Sequence, residues 1–220
     1  MTVSEALLGR TVAVLGGTGP QGRGLARRFA AAGLDVVLGS RAADRAAETA
    51  AALPGRVRGL SNADAAVAGD IVVVAVPWAG HAELLTELAP ALVGKIVVDC
   101  VNPLGFDKQG PYALDVPAGS AAQQAATILV GARVVGAFHH VSAVILEDPS
   151  LDTVDTDVLV LGDDREATDL VQDLAAVIPG VRGVYGGRLR NARQVEAFTA
   201  NLISVNRRYR AHAGLRVTDV

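Results

Sequence analysis

The sequence is short of several residue types, and each shortage narrows what the chain can be. It holds one cysteine, Cys100, so no disulfide forms within the chain, and this favours a reducing compartment. Aromatic residues make up 4% of the chain, so its core must be built from Ala, Val and Leu, which suits buried parallel strands. The net charge of -3 gives no reason to expect nucleic acid or a membrane surface as a partner.

Long apolar runs are also missing. No run approaches the ~18 residues that a membrane-spanning helix requires. The N-terminal stretch lacks the basic start and apolar segment of a secretory signal. We therefore expect a cytoplasmic protein that binds neither nucleic acid nor membrane.

Short apolar runs alternate with longer amphipathic stretches, a pattern typical of βαβ units. We expect an α/β Rossmann-type doubly wound parallel sheet over residues 1–140 and a small C-terminal α/β domain over residues 141–220. The expected strands lie at 11–16, 35–39, 71–76, 95–101, 133–138, 157–162 and 183–187, with a weaker one at 57–60. The expected helices lie at 20–32, 43–53, 80–92, 120–129, 166–177 and 188–209.

A glycine-rich turn directly follows the first expected strand. Gly17, Gly19 and Gly22 satisfy G-x-G-x-x-G between a strand and a helix, the context in which this motif binds a dinucleotide pyrophosphate. Glycine permits the tight turn, the close approach of backbone to pyrophosphate and the close packing of helix on strand. The helix N-terminus adds free amides. We interpret the turn as a dinucleotide site rather than a glycine-rich turn without a ligand.

The end of the second strand predicts which dinucleotide binds. An NAD site usually has Asp or Glu here, whose carboxylate accepts from the ribose 2′-hydroxyl. This strand ends instead in Gly39, Ser40 and Arg41, with Arg45 four residues later. A serine donates to a phosphate oxygen and an arginine forks onto it, so we expect NADP(H), although solvation alone also accounts for the two arginines.

The nicotinamide end should lie across the carboxyl ends of the later strands. Pro77 and Trp78 are expected to wall the ring and exclude water, and Asn102 to hold a polar edge, although ordinary packing accounts equally for Trp78.

His139 and His140 do not predict a metal site. Neighbouring strand residues point to opposite faces, and His81 and His212 lie far off with no cysteine cluster, so we expect no metal. His139 directly follows a strand and is the one expected to face the site, while a structural role for it stays open.

Strong acid–base groups are scarce where they would be needed. The lysines are Lys95, at the wrong end of the sheet, and Lys108, in a loop, and no tyrosine is followed by a lysine four residues on. We therefore assign no certain catalytic residue. The site suits an acceptor whose own electronics take a hydride, with the protein supplying position and exclusion of water.

Several segments together resemble one family, the F420-dependent NADP oxidoreductases. They are "GGTGPQGRGLARRFAAAGLDVVLGSR", then "VPW", "VNPLG" and "GAFH" after successive strands, "GDD" at 162–164 and "RLRNARQVEAFT" near the C-terminus. The resemblance covers nearly the whole chain, and its most specific part is the glycine loop with "GSR".

The resemblance implies reversible hydride exchange between NADP(H) and the deazaflavin coenzyme F420, and a homodimer. It implies that the C-terminal domain contributes to the deazaflavin site and to dimerisation. Loop residues would bind NADP(H), Ser40, Arg41 and Arg45 the 2′-phosphate, Val76 and Ala143 the nicotinamide side, and His139 the deazaflavin. The loop residues are Gly17, Thr18, Gly19, Pro20, Gln21 and Gly22.

Two alternatives stay open on the residues. One is an NADPH-dependent imine or ketone reductase, which would need an acid that we have not recognised. The other is a non-catalytic NADP-sensing Rossmann module.

Overall fold

The computed structural model describes residues 3–220, which form one large sheet, a small hairpin and helices on both faces of the sheet. The strands are β1 (Thr11–Leu15), β2 (Asp35–Ser40), β3 (Val57–Ser61), β4 (Ile71–Val74), β5 (Ile96–Asp99), β6 (Leu104–Asp107), β7 (Gly110–Ala113), β8 (Arg133–Gly136), β9 (Thr156–Gly162) and β10 (Val181–Gly187). The helices are α1 (Pro20–Ala31), α2 (Ala43–Ala51), α3 (Asn62–Ala68), α4 (His81–Leu92), α5 (Ala121–Ile128), α6 (Ala143–Glu147), α7 (Arg165–Ala176) and α8 (Ala192–Tyr209).

The large sheet has the order β10-β9-β8-β5-β4-β1-β2-β3. The six neighbouring strands β8, β5, β4, β1, β2 and β3 are all parallel. They follow the doubly wound order, in which strands are added first on one side of β1 and then, starting with β4, on the other. This confirms the Rossmann-type α/β fold expected from the sequence.

The apolar runs form strands because both faces of the sheet are covered. Along β1, Val12 and Val14 enter one core cluster with Leu25 and Phe29 of α1, while Ala13 and Leu15 enter a second cluster on the opposite face. Alternate side chains point to opposite faces, so a strand buried on both sides needs an unbroken apolar run.

The expected strands and helices are present, but several expected strands run too long. The ladders stop at Val74, Asp99 and Gly136, two residues or so before the apolar runs end. Cys100 and Phe138 stay apolar and buried although they have left the sheet, so composition alone does not mark the strand ends. The hairpin of β6 and β7 and the short helices α3 and α6 were not expected.

The last two strands extend the same sheet. β9 pairs antiparallel with β8 through Val135↔Gly162 and Gly136↔Leu161, and β10 pairs parallel with β9. The chain thus adds its final strands to the edge of the nucleotide-binding sheet, while a domain division at residue 140 stays a prediction.

One buried carboxylate fastens the C-terminal tail to these strands. Asp157 on β9 is fully buried and accepts from Arg182 Nε at 2.8 Å, Arg216 Nη1 at 2.6 Å and the amide of Val217 at 2.7 Å. The Arg182 guanidinium above all holds the pKa of Asp157 well below its usual range, helped by Val217 and Arg216 against the opposing effect of burial.

Replacing Asp157 by Asn should therefore lower the free energy of unfolding by about 2–3 kcal/mol near neutral pH, because two arginines lose their buried partner. A carboxylate with a lowered pKa stabilises the fold above about pH 4 and loses that effect as the pH falls through its folded value, so the difference between the proteins should shrink in acid. Urea unfolding across pH measures it.

The matched control is Asp169→Asn, which breaks the exposed Arg165–Asp169 pair at 3.6 Å. That change should cost less than about 0.5 kcal/mol. Equal losses of unfolding free energy in Asp157→Asn and Asp169→Asn would contradict the role of Asp157 in fastening the C-terminal tail.

Candidate functional site

The glycine turn leaves the N-terminus of α1 without a side-chain cap. Gly16 takes the left-handed backbone with φ 71°, and the amide of Gly17 donates to the Gly39 carbonyl at 2.9 Å. Gly19 then precedes α1 with an extended backbone and no side-chain cap, and Pro20 begins the helix. The first amides of α1 therefore have no side chain closing over them, which is the arrangement that receives a phosphate.

The three motif positions require glycine for different reasons. A Cβ on Gly17 would lie 2.4 Å from Leu38 Cδ2, and one on Gly22 would lie 2.8 Å from the Gly16 carbonyl oxygen, so the fold itself requires these two. A Cβ on Gly19 would meet nothing closer than the Gly16 oxygen at 3.4 Å, and its φ of -79° suits any residue. Only a ligand approaching the loop would demand glycine at position 19.

The end of β2 carries positive charge and no carboxylate. Ser40 is buried at the strand end, where its Oγ accepts from the Ala42 amide at 3.3 Å. Arg41 follows at the surface and Arg45 lies in the first turn of α2, and neither forms an ion pair with any residue in the described part of the chain. A cation in the first turn of a helix is disfavoured by the helix dipole. An anion bound there would be attracted both by the arginine and by the positive end of the dipole.

A cavity of ≈ 480 Å³ lies at the carboxyl ends of the parallel strands. Nine of the residues named from the sequence line it: Gly19, Pro20, Gln21, Val76, Pro77, Trp78, Asn102, His139 and Ala143. Six residues named from the sequence do not line it: Gly17 and Thr18 in the loop, Gly22 in α1, Ser40 at the end of β2, Arg41 after it and Arg45 in α2. Their binding roles stay predictions.

The far wall of the cavity was missed from the sequence. It is formed by one face of α8, with Thr199, Leu202, Ile203 and Asn206 lining the space. The helical spacing of these residues is visible in the sequence, but it indicates only that some partner surface covers them. Cys100, Val101, His140, Val141 and Ser142 also line the cavity.

The segment after β8 is held from three sides. Gln21 Nε2 of α1 donates to the Phe138 carbonyl at 3.2 Å, while Asn102 Nδ2 at 2.7 Å and Thr199 Oγ1 at 3.2 Å both donate to the His139 carbonyl. Phe138 has φ 61°, an uncommon value for a bulky residue, and its buried ring packs edge-on against Phe29. The strained turn is therefore fixed by packing and by three hydrogen bonds.

The two neighbouring histidines are both neutral near physiological pH. Burial lowers the pKa of His139 to about 4, and burial followed by the charge of His139 lowers the pKa of His140 to about 4. The His139 ring lies against Gly136, where a Cβ would come within 3.1 Å of Nε2. Within residues 3–220, the His139 ring nitrogens and Asn102 Oδ1 have no hydrogen-bond partner.

A third histidine, His81, does not line the cavity but pairs with a carboxylate at the end of β5. His81 Nε2 is 2.6 Å from Asp99 Oδ2, and both side chains are fully buried. Burial alone would lower the pKa of His81, but Asp99, Gln124 and the charge of Glu196 outweigh it and raise the pKa. No group of three or more metal-ligating side chains occurs in the described residues.

Lys95 proves structural. Its Nζ donates to the carbonyls of Ala66, Val67 and Gly69, each at 2.7 Å, and so closes the end of α3, away from the cavity. No helix in residues 3–220 is long and apolar enough to cross a membrane.

The strand order, the open head of α1 and the cavity at the reversal point define the class of Rossmann dinucleotide-binding proteins. Residues 11–103 match the family model described as NADP oxidoreductase coenzyme F420-dependent. The chain is 40% identical to the F420-dependent NADP reductase of Methanothermobacter thermautotrophicus, over 95% of each protein. It therefore belongs to the family of F420-dependent NADP reductases.

Solved structures of other proteins share the fold of this chain. A candidate F420-dependent NADP reductase from Arthrobacter sp. FB24 superimposes with a TM-score of 0.79 at 28% identity, covering 96% of this chain and all of that one. An imine reductase from Bacillus cereus gives 0.64 at 19% identity, covering 91% of this chain and 63% of that one. The second likeness shows a shared fold alone.

The glycine geometry predicts that a substitution at Gly19 weakens NADPH binding without destabilising the fold. Gly19→Ala should leave the melting temperature within about 2 °C of the parent, since the new methyl group fits the free protein. It should weaken NADPH at least about tenfold, because the methyl group would occupy the space of the pyrophosphate. Thermal unfolding and calorimetric titration with NADPH measure the two effects.

Two further glycines provide the controls. Gly22→Ala should lower the melting temperature, since its methyl group meets backbone, whereas Gly80→Ala, with nothing within 4 Å, should leave the NADPH affinity unchanged and lower the melting temperature only slightly, because Gly80 caps α4. Unchanged NADPH affinity in Gly19→Ala would mean that the pyrophosphate does not lie on this loop.

Proposed function

We propose that the chain catalyses reversible hydride transfer between NADP(H) and the deazaflavin coenzyme F420, so that NADPH, a proton and oxidised F420 give NADP⁺ and reduced F420. The near full-length similarity to F420-dependent NADP reductases carries this proposal. The structure supports it with a cavity that runs from the glycine loop to α8, with its two histidines neutral.

NADP(H) is proposed to occupy the side of the cavity nearest α1. Its pyrophosphate would lie on Gly17–Gly22, and its 2′-phosphate on Ser40, Arg41 and Arg45. Val76, Pro77, Trp78 and Ala143 would surround the nicotinamide, with Asn102 Oδ1 as the acceptor for its amide group.

The opposite side of the cavity is left for the hydride acceptor, where His139 and α8 would contact the deazaflavin. Bound NADPH supplies a hydride from C4 of its nicotinamide, which C5 of the deazaflavin accepts. Neutral His139 and His140 bring no charge to the transfer, and the apolar residues Val76, Val141 and Leu202 exclude water from it. These residues contribute mainly by holding the two rings at reacting distance.

The direct test mixes the purified protein with NADPH and oxidised F420 and follows loss of the deazaflavin's visible absorbance. No loss at saturating concentrations of both would overturn the proposal. Oxidation of NADPH by a panel of ketones or imines would then favour a reductase of that class, and binding of NADPH without turnover would favour a sensing module.

The cofactor preference gives a prediction for Arg41→Ala. The variant should bind NADPH about 10–100-fold more weakly, since a charge-assisted contact to the 2′-phosphate is lost, and NADH with less than about a threefold change. Titration with both nucleotides measures this, with Arg165→Ala, an exposed arginine on α7, as the matched control. Equal weakening of NADPH and NADH by Arg41→Ala would contradict the assignment.

We further propose that the protein works as a cytoplasmic homodimer. A groove between α8 and the hairpin carries Tyr112 and Phe198, which are 47% and 39% exposed, and Phe106 nearby is 68% exposed. Such apolar groups favour contact with a second copy of the chain. The lone buried Cys100 suits a reducing cytoplasm.

Light scattering should accordingly give a mass of twice 22.5 kDa. Phe198→Glu should shift the protein towards the monomer, because a charge would be buried in the contact. A monomeric parent protein at micromolar concentration would contradict the dimer.

A further inference from the structure

The wall of the cavity formed by α8 is fastened by a buried glutamate. Glu196 is 3% exposed, and its two carboxylate oxygens accept from the amides of Ala121 at 2.9 Å and Ala122 at 3.1 Å. These are the first amides of α5, and Ser120 Oγ accepts from the Gln123 amide beside them. The carboxylate thus caps α5 from a different helix, and a negative charge there is favoured by the helix dipole.

The same end of α5 is tied to the sheet. His81 of α4 lies 3.0 Å from Gln124 Oε1 through Nδ1 and 2.6 Å from Asp99 of β5 through Nε2. Glu196, His81 and Asp99 therefore form one buried polar cluster that joins α8, α5, α4 and β5. Buried polar groups satisfied in this way have a single arrangement, since any shift leaves an unpaired group without water.

Thr199 lies one turn after Glu196 and connects α8 to the cavity. Its Oγ1 lies 3.2 Å from the His139 carbonyl, the oxygen that also accepts from Asn102, and 3.4 Å from the Val195 carbonyl of its own helix, so the shorter contact is the one to His139. Leu202, Ile203 and Asn206 continue the same helix face into the cavity. α8 is therefore one of the three elements that hold the His139 segment, and it also forms one wall of the cavity.

We propose that Glu196 and Thr199 are positioning residues for the hydride acceptor: the Glu196 clamp sets α8 on α5, and Thr199 transmits that position to the His139 backbone. The inference rests on the proposed function, because it takes the α8 side of the cavity as the deazaflavin side. Glu196 bonds to α5 and not to the glycine loop or the end of β2, and Thr199 shares only the His139 carbonyl with Asn102, so NADP(H) binding is expected to change less than F420 binding when the clamp is altered. A misplacement of about 1 Å at a reacting ring costs on the order of a hundredfold in rate.

Thr199→Val removes the donor and keeps the shape. It should weaken binding of oxidised F420 about tenfold by calorimetry and lower kcat/KM for F420 by at least as much, with the NADPH Kd within about twofold of the parent. Thr199→Ser should restore both values, since its hydroxyl can reach the same carbonyl. The matched control is Thr86→Val, an exposed threonine on α4 whose Oγ1 bonds only within its own helix.

Glu196→Gln tests the charge of the clamp. Burial raises the pKa of Glu196 to about 7, with Asp99 acting in the same direction and the two amides and His81 against it. The ionised Glu196 carboxylate accepts more strongly from the two amides than an amide side chain does. Above neutral pH, the parent should therefore bind F420 more tightly than Glu196→Gln, and the difference in affinity should narrow in mild acid. The charged groups that act on Glu196 are Asp99 and His81, and both are kept in the Glu196→Gln variant.

The outcomes separate the two proposals. F420 binding without hydride transfer in the parent protein would overturn the proposed function, while a Thr199→Val defect in that binding would still support the positioning role. F420 affinity equal to the parent in Thr199→Val, or an equal loss of NADPH and F420 affinity together with a lower melting temperature, would overturn the positioning role. Failure of the parent to bind F420 would overturn both.

Discussion

The parallel pairing of β1 with β2 on one side and β4 on the other is the constraint on which the rest of the molecule depends. Parallel strands need crossover helices, and the right-handed crossovers place α1 on one face of the sheet and α4 on the other. The helices therefore diverge at the carboxyl end of β1 and leave a crevice that no helix fills. The glycine loop, Val76 and Asn102 meet there because each follows a strand of this sheet.

The site works through position and low charge. The carbonyls of Phe138 and His139 receive hydrogen bonds from α1, from the segment after β5 and from α8, so that one short strained turn is held by three separate elements. The two histidines in the cavity wall, His139 and His140, are kept neutral by burial. Asp99 and His81 are paired with each other in the interior and do not line the cavity, which suits the transfer of a hydride between two rings better than acid–base chemistry at a carbonyl.

The C-terminal part of the chain completes this arrangement. β9 and β10 lengthen the sheet, Asp157 fastens the tail, and α8 crosses back to cover the crevice. A glutamate buried against the N-terminus of α5 would be costly if it were unpaired, so its two amide partners favour the observed position of α8. The cavity therefore owes its far wall to a satisfied polar contact as much as to apolar packing.

The sequence by itself determined the parallel sheet, the glycine loop and the cationic end of β2. These follow from local rules: strands buried on both faces need unbroken apolar runs, a tight phosphate turn needs glycine, and "GSR" brings a donor and a cation where an acid would otherwise lie. The tertiary structure alone decided which residues after the strands share one cavity, that Thr199 and Leu202 form its far wall, and that His81 pairs with Asp99. Those contacts join residues far apart in the chain, and the helical spacing of α8 indicates that a face is covered without indicating what covers it.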